Sequence, residues 1–566
     1  MSAEASSAQT RLGAIERWTL RTIAFVLPLT FWPLTFDHYV LPKLLVARFL
    51  VLALAALFVA RAAVANRLVW KRTPLDLPLL AFIGSAVVSA VFGVNLGIGI
   101  FGTYARYDGL LTLCTYGAIF WLTVQSIRDA GEARALQRAL IASGFVVAVI
   151  AIVQWIGDSV TGQPARAYGT MGNANVLGAF LVLLCPVAYV EVLSAKSALT
   201  RLLAGNALAA MLLALLLTLS RSSWIGLAIA IAILLFGQQL PAMRNRLLQA
   251  ATVALVLSAA ALAPVGLEHG TSTNGAVSQV ETVSDRLHVW TDTIPLVAAR
   301  PLIGYGPDTF GLVYPRYQSG NWGYYAQFDK AHSELLQVAA TQGVLGVAAY
   351  LWLLAAVALA FWRGPRFPEG WGLLAGWAGY EVVLQFNFTA LPAALPMWIL
   401  VAAAVVIWSG GSAKQISVGL PSLRARLLAL AVIAGLAALA VPALGSAYLA
   451  DAGLLQAYHE DVAGHRAAAS VLAAAARRLA PQESVYAVEV GNLAFEAQDW
   501  ARARDAYSSA AKLGTFNPEM YRNLAVADSR LGYVTDARDA ARAAVYLDRF
   551  DPANQALLAQ MELLKP

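Results

Sequence analysis

The sequence predicts an all-α protein: a polytopic transmembrane helical bundle of about thirteen spans, followed by a C-terminal helical-repeat domain. Three observations carry that prediction. The 566 residues are 59% hydrophobic and only 13% charged, with a mean hydropathy of +0.63, a balance common in membrane bundles and rare in soluble domains. The apolar residues come in runs of about 20, the length that crosses a bilayer core as helix. After residue 450 the character changes to Ala-rich amphipathic segments with a fixed period. The expected division is 1–450 for the membrane part, with a long polar loop at 266–333, and 451–566 for the repeats.

Taken in order, spans are expected near 18–36, 43–62, 76–92, 109–126, 136–156, 173–193, 200–219, 223–239, 246–265, 334–361, 370–388, 391–409 and 427–449. The polar start through Arg21 leads straight into a full-length apolar segment, so no cleavable leader is expected. Charge then assigns the sides. With the N-terminus and its Arg11, Arg17 and Arg21 inside, every second loop is basic: Arg61 to Arg72, Arg128 and Arg134, Lys196 and Arg201, Arg244 and Arg246, Arg363 and Arg366, then Lys414 to Arg426. This is the positive-inside pattern. The formal charge of +7 therefore reflects cytoplasmic loops of a membrane protein, and nucleic acid is not an expected partner. Cys114 and Cys185 both lie in apolar runs and identify no redox compartment.

The outer loops hold few cations, and those few stand out. They are Arg106 in 93–108, Arg166 in 157–172, Arg221 in the turn Ser220-Arg221-Ser222, and Arg286, Arg300, Arg316 and Lys330 in 266–333. The long loop has four Lys/Arg against six Asp/Glu, too even for a surface that simply binds acidic lipid. Arg221 sits between two apolar helices. A snorkelling arginine would occupy such a place, but snorkelling would not select the outer side, and a guanidinium fork suits phosphate oxygens. Arg286 lies near the start of a segment where Leu287, Trp290 and Ile294 form an apolar stripe, the pattern of a short helix lying on the membrane; an ion pair with Asp285 or Asp292 is the plainer role for it. Arg166 precedes a Gly- and Asn-rich entry into the sixth span, where a helix N-terminus would add anion donors. His332 stands just before the tenth span as either a structural histidine or a proton acceptor. Tyr305, Tyr314 and Trp322 are candidates to stack on sugar rings, or members of an interfacial aromatic belt.

Beyond the last span, Gly491, Ala503, Ala506 and Pro518 recur 34 residues later as Ala525, Ala537, Ala540 and Pro552. That period resembles tetratricopeptide repeats. An odd span count places them outside, as a surface for a protein partner or as a cap on the membrane part. No D-x-D, HExxH, CxxC or P-loop pattern occurs, so no metal or cofactor is expected, and nucleotide-sugar transfer and ATP-driven transport lose support.

Five stretches together resemble the O-antigen ligase and polymerase superfamily, which includes bacterial protein O-oligosaccharyltransferases: GTYARYDGLLTL (102–113), RAYGTMGNANVLGAFL (166–181), SRSSWIG (220–226), DRLHVWTDTIPLVAARPLIGYG (285–306) and AHSELLQVAATQGVLG (331–346). The resemblance implies an all-helical C-type glycosyltransferase in the bacterial inner membrane, acting on its periplasmic face without a metal. It implies an undecaprenyl-diphosphate-linked glycan as donor and lipid A–core as acceptor, with a protein or a growing glycan as the alternatives. The family's arginines map onto Arg221 and Arg286, its histidine onto His332, and a diphosphate contact onto Arg166; Arg106, Tyr305, Tyr314 and Trp322 remain possible glycan or acceptor contacts. The rival of another class is a lipid-linked-sugar flippase or a scaffold. A flippase needs polar groups along a path through the bilayer, whereas these gather at one edge.

Overall fold

The computed structural model describes residues 3–162, 166–236, 283–320, 328–364, 367–409, 414–420 and 422–565. The membrane part runs α1 (Ala3–Leu29), α2 (Val40–Val64), α3 (Asp76–Val91), α4 (Leu96–Phe101), α5 (Leu110–Ser126), α6 (Ala130–Val160), α7 (Ala174–Ser194), α8 (Ala198–Leu217) and α9 (Arg221–Phe236). It continues with α10 (Val283–Ala299), α11 (Phe310–Val313), α12 (Glu334–Arg363), α13 (Pro368–Leu384), α14 (Leu391–Trp408) and α15 (Leu423–Val462). The protein is all-α and polytopic, as expected. Among the described residues, α2, α6, α7, α8, α12, α14 and α15 are long and apolar enough to cross a membrane, and α3, α5 and α9 are shorter apolar helices. The expected span at 246–265, Arg244, Arg246, Arg366, and the loop stretches 266–282 and 321–327 lie outside the described residues.

The core is built around α14, all 18 of whose residues are buried. A helix apolar on every face needs protein on every face, and α1, α2, α5, α6, α7, α12 and α13 supply it. Helices in lipid gain little from hydrophobicity against one another, so close packing has to hold them. The crossing of α9 and α13 shows how: a Cβ on Gly226 would lie 2.6 Å from the Gly379 carbonyl oxygen, and one on Gly379 2.7 Å from that of Gly226.

One rim collects the basic loops used to assign sidedness. Arg17 pairs with Glu132 at 2.8 Å, Arg61 with Glu16 at 2.9 Å, Arg134 with Glu369 at 3.0 Å and Arg138 with Glu191 at 2.8 Å. The same rim carries a two-stranded antiparallel sheet, β1 (Arg67–Lys71) on β2 (Gln415–Gly419), with Arg67 opposite Gly419. Neither strand is foreseen from sequence, because five residues between helices are too few to establish an alternating pattern.

At the other end α15 runs unbroken from the last span through residue 450 into the C-terminal helices α16 (Arg466–Leu479), α17 (Ser484–Glu496), α18 (Trp500–Leu513), α19 (Pro518–Arg530), α20 (Val534–Leu547) and α21 (Pro552–Leu563). Ser484, Pro518 and Pro552 open helices 34 residues apart, as do Trp500 and Val534. Tyr507, Ala503, Ala525, Ala537 and Ala541 form the core between them. This array rests on the rim opposite the basic loops. The Asp451 carboxylate accepts hydrogen bonds from the Asp37 amide (2.9 Å), the Tyr104 hydroxyl (2.6 Å) and the Tyr486 hydroxyl (3.3 Å). Asn95 Nδ2 donates to the Leu513 carbonyl at 3.1 Å, Tyr546 Oη to that of Leu312 at 3.2 Å, and the Arg549 guanidinium to that of Gln318.

Candidate functional site

The rim that faces the repeats is organised by six residues, 385–390, joining α13 to α14. The apolar run predicts a span at 370–388, but α13 stops at Leu384. From there four of the six reach across to other parts of the chain. The Phe386 ring lies 6.2 Å from Trp290 of α10. Asn387 Nδ2 donates to Ser222 Oγ, in the first turn of α9, at 2.8 Å. Phe388 receives the His332 ring edge-on at 5.4 Å, the Arg106 guanidinium at 4.9 Å and the Lys330 ammonium at 5.7 Å. The Thr389 amide donates to Glu334 Oε2 at 2.7 Å.

The segment that leads into α12 is held residue by residue. Asp329 takes two hydrogen bonds from Arg106, at 2.5 and 3.2 Å. Lys330 Nζ donates to Asp108 Oδ2 at 2.7 Å and to Asp308 Oδ1 at 2.8 Å. The Ala331 amide donates to Gln337 Oε1 at 2.8 Å. His332 has a left-handed backbone, φ 51°; its carbonyl accepts from Trp290 Nε1 at 3.3 Å, and its buried ring lies between Phe328 and Phe388. The charges here are strongly coupled. Burial pushes the Asp329 carboxyl up, but the Arg106 guanidinium more than offsets this and holds it below the usual carboxylate value. Burial likewise opposes a charged Lys330, and Asp108 and Asp308 outweigh it, keeping the ammonium above its ordinary value. Burial pushes Asp108 up to about 6, against the pull of Lys330 and with the push of Asp308. A charged form survives burial only with such partners.

The residues singled out from sequence fall as follows. Arg221 is the exposed first residue of α9, after a turn in which Leu219 has φ 51° and Ser223 Oγ donates to Ser220 Oγ at 2.9 Å. Arg286 lies in the first turn of α10. That helix packs inward through Val289, Asp292, Thr293 and Leu296, while Leu287 and Ile294 of the expected stripe face outward. Arg166 Nε donates to the Thr218 carbonyl at 2.9 Å and its Nη2 to Asn175 Oδ1 at 3.0 Å, which fastens the loop before α7 to the end of α8. The start of α7 is capped by Asn173, whose side chain accepts from the Asn175 and Val176 amides. Arg106 meets His332 and Lys330 at Phe388. Tyr305 donates to or accepts from Tyr317 at 3.1 Å and lies under Arg300. Tyr314 is buried, stacked on Phe310 at 5.1 Å, with its hydroxyl donating to Asp292 at 3.2 Å. Trp322 lies outside the described residues.

Behind Phe388 is a cavity of about 100 Å³. Asp108, Asp308, Lys330 and Glu334 line its polar part, Gln337 and Glu381 continue it, and the remaining wall is largely apolar. The 385–390 hairpin escaped sequence reasoning, and Lys330, which stands out there only as an outer-loop cation, is given no partner by it. The signal for the hairpin is Asn387, a polar residue inside the expected span 370–388, with Thr389 just past it; the partners of Lys330 lie too far away in sequence to be seen.

Residues 207–351 match the family model for O-antigen ligase. The match supports the O-antigen ligase superfamily for this chain, and with it a glycosyltransferase of ligase or polymerase type in a multi-pass membrane protein. The matched stretch holds Arg221, Arg286 and His332, and leaves Arg106 and the 385–390 hairpin outside. No curated protein matches the chain.

Proposed function

We propose that this protein moves a glycan en bloc from undecaprenyl diphosphate to lipid A–core on the periplasmic face of the bacterial inner membrane. One observation carries the reading: the stretch matching the O-antigen ligase model contains Arg221, Arg286 and His332, and the 385–390 hairpin touches the element bearing each of them. The lipid anchors the donor in the bilayer, where its diphosphate meets the rim. The guanidinium groups of Arg221 and Arg286, with Arg166 at the edge, bind the diphosphate through charge-assisted hydrogen bonds. His332 takes the proton from, or orients, the acceptor hydroxyl. The hydroxyl oxygen bonds to the anomeric carbon as the bond from that carbon to the diphosphate oxygen breaks, and the electron pair leaves with the diphosphate. Fixed cations favour the charge that grows there. A single displacement inverts the anomeric centre, and the positioned groups supply what a metal otherwise would.

A protein acceptor is the second reading, favoured by the repeat array resting on the Leu312 and Gln318 carbonyls beside the site. Incubating the purified full-length protein with a labelled lipid-linked glycan and either lipid A–core or secreted proteins separates the readings. Label on lipid A–core is the expected result; label on protein, or lengthening of the lipid-linked glycan by polymerisation, favours a sister activity. No transfer to any acceptor overturns all three and returns the flippase or scaffold.

A further inference from the structure

Three left-handed residues lie at or beside the partners of one ammonium or just along its own segment. Lys330, 2% exposed, binds Asp108, which follows Tyr107 at φ 53°, and Asp308, itself at φ 57°. Two residues on, His332 has φ 51°. Asp308 also gathers the opposite loop, accepting from the Thr103 amide at 2.6 Å and the Thr103 hydroxyl at 2.9 Å. Backbone of this kind is costly outside glycine and persists only where the surroundings over-determine it. A buried ammonium between carboxylates is a poor way to gain stability, since apolar replacements often serve as well, but it does specify one arrangement of the chain.

We propose that Lys330 is a positioning residue for His332, clamping the 102–109 and 304–309 loops so that the imidazole is delivered against Phe388. The proposal rests on reading His332 as the group that handles the acceptor proton. Lys330 does not touch substrate in this scheme; it acts through the two peptide units that separate it from His332. Freed from Asp108 and Asp308, the segment relaxes toward extended backbone and carries the ring out of the Phe328–Phe388 slot. Displacements of about 1 Å at a reacting group cost about 100-fold in rate.

The test uses the full-length protein in nanodiscs and the charge-balanced variant K330M/D308N, with D308N alone as a milder one that leaves Lys330 on Asp108. Two quantities are measured: the rate at which diethyl pyrocarbonate modifies His332, against the exposed His459 and His465 as references, and the donor KM and kcat. The expected result is His332 modification about tenfold faster in the double variant and less so in D308N, with kcat down about 10- to 100-fold and donor KM within about twofold. Unchanged protection of His332 in both variants, or a rate loss lying wholly in KM, overturns the proposal. Absence of transfer in the unmutated protein overturns the ligase reading instead, and His332 exposure in the variants still supports the clamp.

Discussion

Asn387 Nδ2 donates a 2.8 Å hydrogen bond to Ser222 Oγ, one residue from Arg221, and the next residue, Phe388, carries the His332 ring. Two parts of the candidate site that are far apart in sequence are thereby joined through neighbouring positions of one hairpin. Asn387→Leu keeps the branched outline of the side chain and removes the donor. Its loss should cost about 1–2 kcal/mol, read as a lower thermal midpoint, together with weaker donor binding as the α9 turn loosens. An unchanged donor KM would show that the turn holds itself.

Replacing Arg221, Arg286 or His332 with Ala should lower transfer by at least about 100-fold each, the scale of losing a charge-stabilising donor or a general base. Membrane insertion and the elution profile in detergent should stay as they are. Transfer persisting in all three variants would remove the assigned chemistry.

The Arg106–Asp329 pair has a definite pH signature. The folded carboxyl lies below its usual value, so the pair stabilises above the ordinary carboxylate range, and that contribution fades as pH falls through the depressed folded value. Asp329→Asn should therefore cost most near neutrality and progressively less in acid. Thermal midpoints between about pH 3 and 7 are the measurement.

Asp108 runs the other way. Its folded value is raised to about 6, so its contribution is complete below the usual carboxylate value and is lost as pH rises through about 6. Asp108→Asn leaves Lys330 paired with Asp308 and removes the surplus negative charge. The variant should gain on the parent as pH rises from about 4 to 6 and hold that gain above it, and equal slopes of midpoint against pH across that window would contradict this.

If guanidinium groups hold the departing diphosphate, chelators should leave transfer unchanged. Inhibition by EDTA that Mg²⁺ reverses would place the charge stabilisation elsewhere.

The spans were legible because a bilayer demands long apolar runs, and runs such as 174–194 and 391–408 cannot be hidden. The candidate arginines were visible by a negative criterion: they sat in loops where positive charge was not expected. What sequence could not yield was pairing across distance. Lys330 finds Asp108 across 222 residues, and Arg106 finds Asp329 across 223; no local pattern encodes either. The hairpin at 385–390 was masked by its own phenylalanines, which extend the apolar run of α13 although they serve as platforms for His332 and Trp290. The strands β1 and β2 were lost to brevity.

The forty residues of α15 correspond to about 60 Å of helix, twice the roughly 30 Å of hydrocarbon it has to cross. Its upper half is thus a mast, and the height at which the repeats stand above the lipid is set by covalent length. Seven residues spliced into that mast would lift the array by about 10 Å while turning it only some 20°. Such a chain would part company with Leu312 and Gln318 yet leave the rim chemistry intact, separating what the array touches from what the membrane part does.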